Sequence, residues 1–140
     1  LVTRLRTKND AVLVMVVLSI LYALFGEVIY YFAYTNDAVA EKFNILTCLL
    51  IILYTLPVVL LFRNKYWALY LLVIVLSPFF SILFLLLFGG FTPVKEDDMG
   101  VGFLYILVWI IQEFCMIVSA LLGLIINFFI ARLKKKHVAR

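Results

Sequence analysis

Two glutamates, Glu27 and Glu113, stand inside long apolar runs, and they are the residues of this sequence best suited to chemistry. A charge near the centre of a bilayer costs at least about 2.5 kcal/mol, so an ionisable residue in that setting needs a role that offsets it. Such an acid can hold a proton, a cation or a hydrogen-bonding neighbour. No Lys, Arg or His falls in the same runs, and a buried carboxyl without a cationic partner tends to keep its proton. Two carboxyls close together would reinforce that tendency. Three readings stay open: neutral packing residues hydrogen-bonded to Tyr, Gln112 or Ser; a bound cation or proton under exchange; or carboxylates facing a water-filled outer vestibule.

The residues around the pair extend the pattern. Ser19, Ala23, Glu27, Tyr31 and Tyr34 recur at steps of four, four, four and three, which places them on one small or polar helical face. Trp109, Glu113, Met116, Ala120, Gly123 and Asn127 recur at three- and four-residue steps on a second face. Ser119 and Gly123 form a small-xxx-small pair, which lets helix backbones approach closely. Both faces are expected to point into a bundle, with Glu27, Glu113, Gln112, Tyr31 and Ser81 as its intramembrane polar site and Thr47 near the same layer. Ser19, Ala23, Ser119, Ala120, Gly123 and Asn127 are the expected packing residues. At about 1.5 Å of rise per residue, Glu27 lies roughly 10 Å and Glu113 roughly 15 Å below one surface, at similar levels.

The elements that must carry these residues follow from composition. The chain has 140 residues, 67% of them hydrophobic and 14% charged, with mean hydropathy +1.19. An ordinary globular domain is about 45–50% apolar, so the solvent that fits is lipid. Four spans are predicted, at about 11–34, 44–62, 66–88 and 103–131, close to the roughly 20 residues of helix that a bilayer core requires. Asn9 and Asp10 precede the first and are placed to cap it. The third ends at Gly89-Gly90. Thr35 to Phe43, Arg63-Asn64-Lys65, and Phe91 to Gly102 with its Thr92-Pro93 turn signal connect the spans. Links this short make sequence neighbours antiparallel neighbours in space. The fold class is therefore all-α: a polytopic membrane protein forming one up-down-up-down bundle of four transmembrane helices over residues 1–140.

Orientation follows from Lys and Arg. Arg4, Arg6, Lys8, Arg63, Lys65, Arg132, Lys134, Lys135, Lys136 and Arg140 fall on one side, Lys42 and Lys95 on the other. Bias in short loops places the rich side, with both termini, in the cytoplasm, of an inner or plasma membrane. The acidic Asp37, Glu41, Glu96, Asp97 and Asp98 fall outside. The alternative is a signal peptide: Arg4, Arg6 and Lys8 precede an apolar stretch, and Ala38-Val39-Ala40 has the A-x-A form of a cleavage site. A signal core runs about 7–15 residues against about 24 here, which favours a retained span.

The net charge is +4. Because the basic residues flank the spans, it reads as topology rather than nucleic-acid binding. The tail Arg132, Lys134, Lys135 and Lys136 suits anionic lipid headgroups, each cation adding about 1 kcal/mol near the surface; His137 is read as solvated. Tyr30, Tyr31, Phe32, Tyr34, Tyr66, Trp67 and Tyr105 cluster at span ends as an interfacial belt. Pro57 and Pro78 sit inside spans and suit local kinks. Cys48 and Cys115 have no CxxC spacing and read as packing residues. No metal site, cofactor motif, G-x-S-x-G, H-E-x-x-H or P-loop is present, so the chain is not expected to be an enzyme.

Length, four spans and an acid in the first look like the small multidrug resistance transporters, although the aromatic and glycine pattern around that glutamate differs. The segment Leu121 to Arg132, with Asn127-Phe128 before basic residues, is similar to the end of GtrA-type flippases for lipid-linked sugars, over about a tenth of the chain and without that family's glycine-rich start. Transport or flipping is what these resemblances imply. The residues themselves point first to a non-catalytic subunit, accessory or immunity-type partner, packing against a membrane protein or further copies of itself. A small oligomeric transporter using Glu27 and Glu113 is the alternative, and a holin-like pore former a third.

Single cysteines placed at Asp97 and at His137, with Cys48 and Cys115 replaced, should be labelled from opposite sides of the membrane by an impermeant maleimide. Labelling of both from one side would sink the four-span topology.

Overall fold

The computed structural model describes residues 8–61, 67–88 and 100–138. The expectations for Arg4, Arg6, Arg63 to Lys65, Tyr66, Gly89-Gly90, Thr92-Pro93, Lys95 to Asp98 and Arg140 lie outside the described residues, as do the side chains of Lys136 and His137. The described residues are all helical or in short turns. They form α1 (Lys8–Thr35), α2 (Asp37–Glu41), α3 (Phe43–Leu61), a single 3-10 turn (Trp67–Leu69), α4 (Tyr70–Phe88) and α5 (Gly100–Val138). Four of these helices are long and apolar enough to cross a membrane.

Local chemistry sets the ends. Asn9 and Asp10 fall inside the first turn of α1 rather than before it, where the Asp10 charge complements the helix dipole. The first connection is itself a one-turn helix: the Asn36 side chain accepts from the Ala38 N–H at 3.1 Å and caps α2. Pro57 and Pro78 are carried within α3 and α4, which run on through them. Helix α5 continues as helix through the basic segment to Val138, well past the predicted limit at 131.

The packing departs from the expectation that sequence neighbours pair. The most extensive contacts are of α1 with α4 and of α3 with α5; α5 then joins the two pairs through α1 and α4. Small residues explain the choice. Along α5, Cys115, Ser119 and Gly123 are buried and spaced four apart. The Cys115 thiol approaches the Thr47 carbonyl at 3.8 Å, and the Ser119 hydroxyl donates to the Ile51 carbonyl at 2.9 Å. A Cβ on Gly123 would meet Val58 Cγ1, with Val58 Cβ 2.9 Å away. The side chains of one helix thus touch the backbone of the other, the close approach that small residues permit in lipid. Across the other pair, Ser19, Ala23 and Gly26 of α1 and Ser77 and Ser81 of α4 are buried.

Most large apolar side chains point outward. Val75, Leu86 and Phe103 are each more than 70% exposed, while the buried set is rich in Tyr, Ser, Ala and Gly. That inversion suits a chain solvated by hydrocarbon, where apolar surface gains nothing by hiding and polar groups need internal partners.

Gly123→Leu should force α3 and α5 apart and lower thermal stability in detergent by about 1–3 kcal/mol, the usual cost of overpacking. Val58→Ala in the same chain should recover part of the loss. A Gly123→Leu protein that melts like the wild type would show that this seam does not hold the pair together.

Candidate functional site

The buried centre of the bundle is organised by Gln112, which is 2% exposed. Its amide donates to the backbone carbonyl of Tyr22 on α1 and to the Tyr54 hydroxyl on α3 at 3.1 Å. Gly26 makes this reach feasible. A residue four positions after Tyr22 would cover that carbonyl with its Cβ, and a Cβ at Gly26 would collide with the Gln112 amide, its Cδ lying 3.0 Å away. The Tyr22 ring stacks on Tyr54 with centroids 4.2 Å apart. One side chain of α5 thereby ties together three helices.

Toward the start of α5 lies the Glu27 group. The Tyr105 hydroxyl is 2.7 Å from Glu27 Oε1 and 2.9 Å from the carbonyl oxygen of Ser81 on α4. Tyr30, 2% exposed, meets the Tyr105 ring edge-on at 5.1 Å. A small cleft of about 10 Å³ opens beside the group, lined by Gly26, Glu27, Ser81, Tyr105, Val108, Trp109 and Gln112. A cavity needs about 10–15 Å³ to hold one water, so this space suits a single water rather than an organic substrate.

Glu113 does not join the Glu27–Tyr105–Ser81 group. Its neighbour Gln112 packs against Gly26, the residue before Glu27, whereas Glu27 itself is bonded to Tyr105, earlier on α5. The register is fixed by Gln112 docking against Gly26. Glu27 meets Tyr105, whereas Glu113 stands one turn from Trp109 on α5. Glu113 Oε1 and the Trp109 indole N–H are both buried without a hydrogen-bond partner among the described residues. They lie one turn apart on α5.

The other expected residues divide. Ser81 joins the Glu27 group through its carbonyl. Tyr31 does not: it is 46% exposed. Four-residue steps overshoot the helical turn, so Tyr31 stands about 120° around α1 from Ser19. The buried face instead follows Gly26, Ile29, Tyr30 and Ala33. Ser19 donates to its own helix at Met15 O, 2.7 Å, and Thr47 to Phe43 O, 2.8 Å. Ala23 is buried, Ala120 and Asn127 are half-buried, and Asn127 Nδ2 has no hydrogen-bond partner among the described residues. At the basic end, the Arg132 guanidinium sits 5.1 Å over the Phe128 ring, and Lys134 and Lys135 are exposed. Among the described residues no cluster of three His, Cys, Asp or Glu is placed to hold a metal ion.

Sequence reasoning missed Gly26, Tyr22 and Tyr54, and it assigned Tyr105 to the interfacial belt. A glycine immediately before an intramembrane glutamate was the available signal for Gly26.

Gly26→Ala should displace the Gln112 amide and cost on the order of 1–3 kcal/mol, the penalty for leaving buried polar groups unmade. In a Gln112→Leu background the same substitution should cost far less, and a thermal-melt double-mutant cycle measures the difference. Additive losses would mean that Gly26 serves something other than the Gln112 contact. Comparison of the chain with family models, curated proteins and solved structures found no match.

Proposed function

We propose that this chain is a non-catalytic integral membrane protein that works by helix packing, as a subunit, accessory or immunity-type partner within a membrane complex. The observation that carries the reading is where the polar side chains go. Gln112 bonds to α1 and α3, Tyr105 contacts α1 and α4, and Ser119 bonds to α3. These groups hold helices in register, and the adjoining cleft is too small for a large substrate. With each span crossing once, the bundle runs up-down-up-down. The ten-to-two division of Lys and Arg supports cytoplasmic ends in an inner or plasma membrane. The partner is a membrane protein or further copies of this chain, and the exposed basic end of α5 rests on anionic headgroups.

One observation favours a second reading, a small oligomeric transporter or flippase coupled to protons or a cation. Glu113 has a buried oxygen with no hydrogen bond beside an equally unmatched indole N–H, and an intramembrane acid in that condition is a functional candidate.

Glu113→Gln separates the two, because glutamine keeps the shape and hydrogen-bonding capacity of a neutral carboxyl but cannot ionise. The variant should fold, and it should assemble in mild detergent with the same stoichiometry as the wild type. In proteoliposomes neither protein should move protons or cations. Ion-coupled flux in the wild type that is abolished in a folded Glu113→Gln protein would overturn the packing reading in favour of transport.

A further inference from the structure

The Glu27 group contains a proton-counting constraint. Tyr105 Oη lies within hydrogen-bond distance of two acceptors, Glu27 Oε1 at 2.7 Å and Ser81 O at 2.9 Å. A phenol has one proton to donate, and a backbone carbonyl has none. The two contacts are both full hydrogen bonds only when Glu27 brings its own proton: Glu27 Oε1–H then donates to Tyr105 Oη, and Tyr105 donates onward to Ser81 O. If Glu27 loses that proton, the carboxylate becomes the stronger acceptor. It accepts the tyrosine's hydrogen bond, and the Ser81 carbonyl is left without its partner on α5.

We propose that Glu27 is a proton-binding site whose occupancy decides whether Tyr105 ties α5 to α4 or only to α1. The geometry of the group supports this in three further ways. The three partners come from three helices, so a change in hydrogen-bond direction is a change in helix contacts. The cleft beside them has room for about one water next to Glu27, a carrier for the proton. Finally, the charged and titratable surroundings are sparse. From α5 the group faces Tyr105, with Trp109 and Gln112 along the cleft wall; from α4 it faces Ser81; from α1 itself Tyr30 stands behind the Tyr105 ring. No Lys, Arg, His or second carboxyl lines the cleft among the described residues. No cation lining the cleft competes with the proton for Glu27 or pairs with the carboxylate once it forms. The site concerns the output of helix packing and stands whether or not Glu113 takes part in transport.

The test uses the full chain in lipid nanodiscs, with Cys48→Ser and Cys115→Ala. Infrared spectroscopy reads the carboxylic acid carbonyl band, and spin labels at Leu83 and Leu107 report the α4–α5 distance. At acid pH the spectrum should hold an acid band that is missing from Glu27→Gln. Raising the pH should remove that band and shift the α4–α5 distance over the same interval. Glu27→Gln should keep the acid-pH distance throughout, since a neutral amide still donates to Tyr105. Tyr105→Phe should abolish the pH dependence of the distance while the band still titrates. The proposal is overturned if no acid band belongs to Glu27, if the band persists to high pH, if it titrates with the distance unchanged, or if the distance still shifts in Glu27→Gln.

Discussion

The contact on which the rest of the bundle depends is the Gln112 amide against the Tyr22 carbonyl. In hydrocarbon an unmatched amide costs several kcal/mol, so a glutamine in the middle of α5 must find partners or be excluded. It finds them on α1 and α3 at once, and only because Gly26 leaves the α1 backbone bare at that point. That contact sets how far α5 slides along α1. The slide in turn brings Tyr105 opposite Glu27. Two contacts that look independent in the sequence thus follow from one docking event.

The helices and their apolar character were legible because lipid imposes a simple rule on length and composition. The predicted spans agree with α1, α3 and α4 to within a few residues; α5 overran because Ala131 to Val138 carries enough good helix formers to continue past the apolar stretch. Ser119 and Gly123 were legible as a small-residue pair, since spacing alone identifies a narrow helix face. Their partner was not, because nothing in the length of a loop says which helix fills the groove. The pairing of α3 with α5 comes from Thr47, Ile51 and Val58 presenting backbone and branched side chains to Cys115, Ser119 and Gly123.

The candidate site was only half legible for a related reason. Glu27 and Glu113 stand out by residue type, and Gln112 by being an amide among apolar neighbours. Tyr105 does not stand out, since a tyrosine near a span end is ordinary belt chemistry until its hydroxyl is seen turned inward. Tyr31 erred in the opposite direction: a stripe drawn at constant four-residue steps drifts off the buried face within three turns. Periodicity identifies faces over short stretches, whereas hydrogen-bond partners depend on axial register between helices, which is a tertiary quantity.

Helix α5 is unbroken from Gly100 to Val138. At about 1.5 Å per residue it is about 58 Å long, nearly twice the thickness of a bilayer core of about 30 Å. A rod of that length converts angle into displacement. Lys135 stands about 18 Å along the axis from Gly123, so rocking α5 by about 10° about the α3 seam carries that lysine sideways by about 3 Å. Small rearrangements among buried side chains are therefore magnified at the cationic end, where a partner or a headgroup would register them as a moving charge.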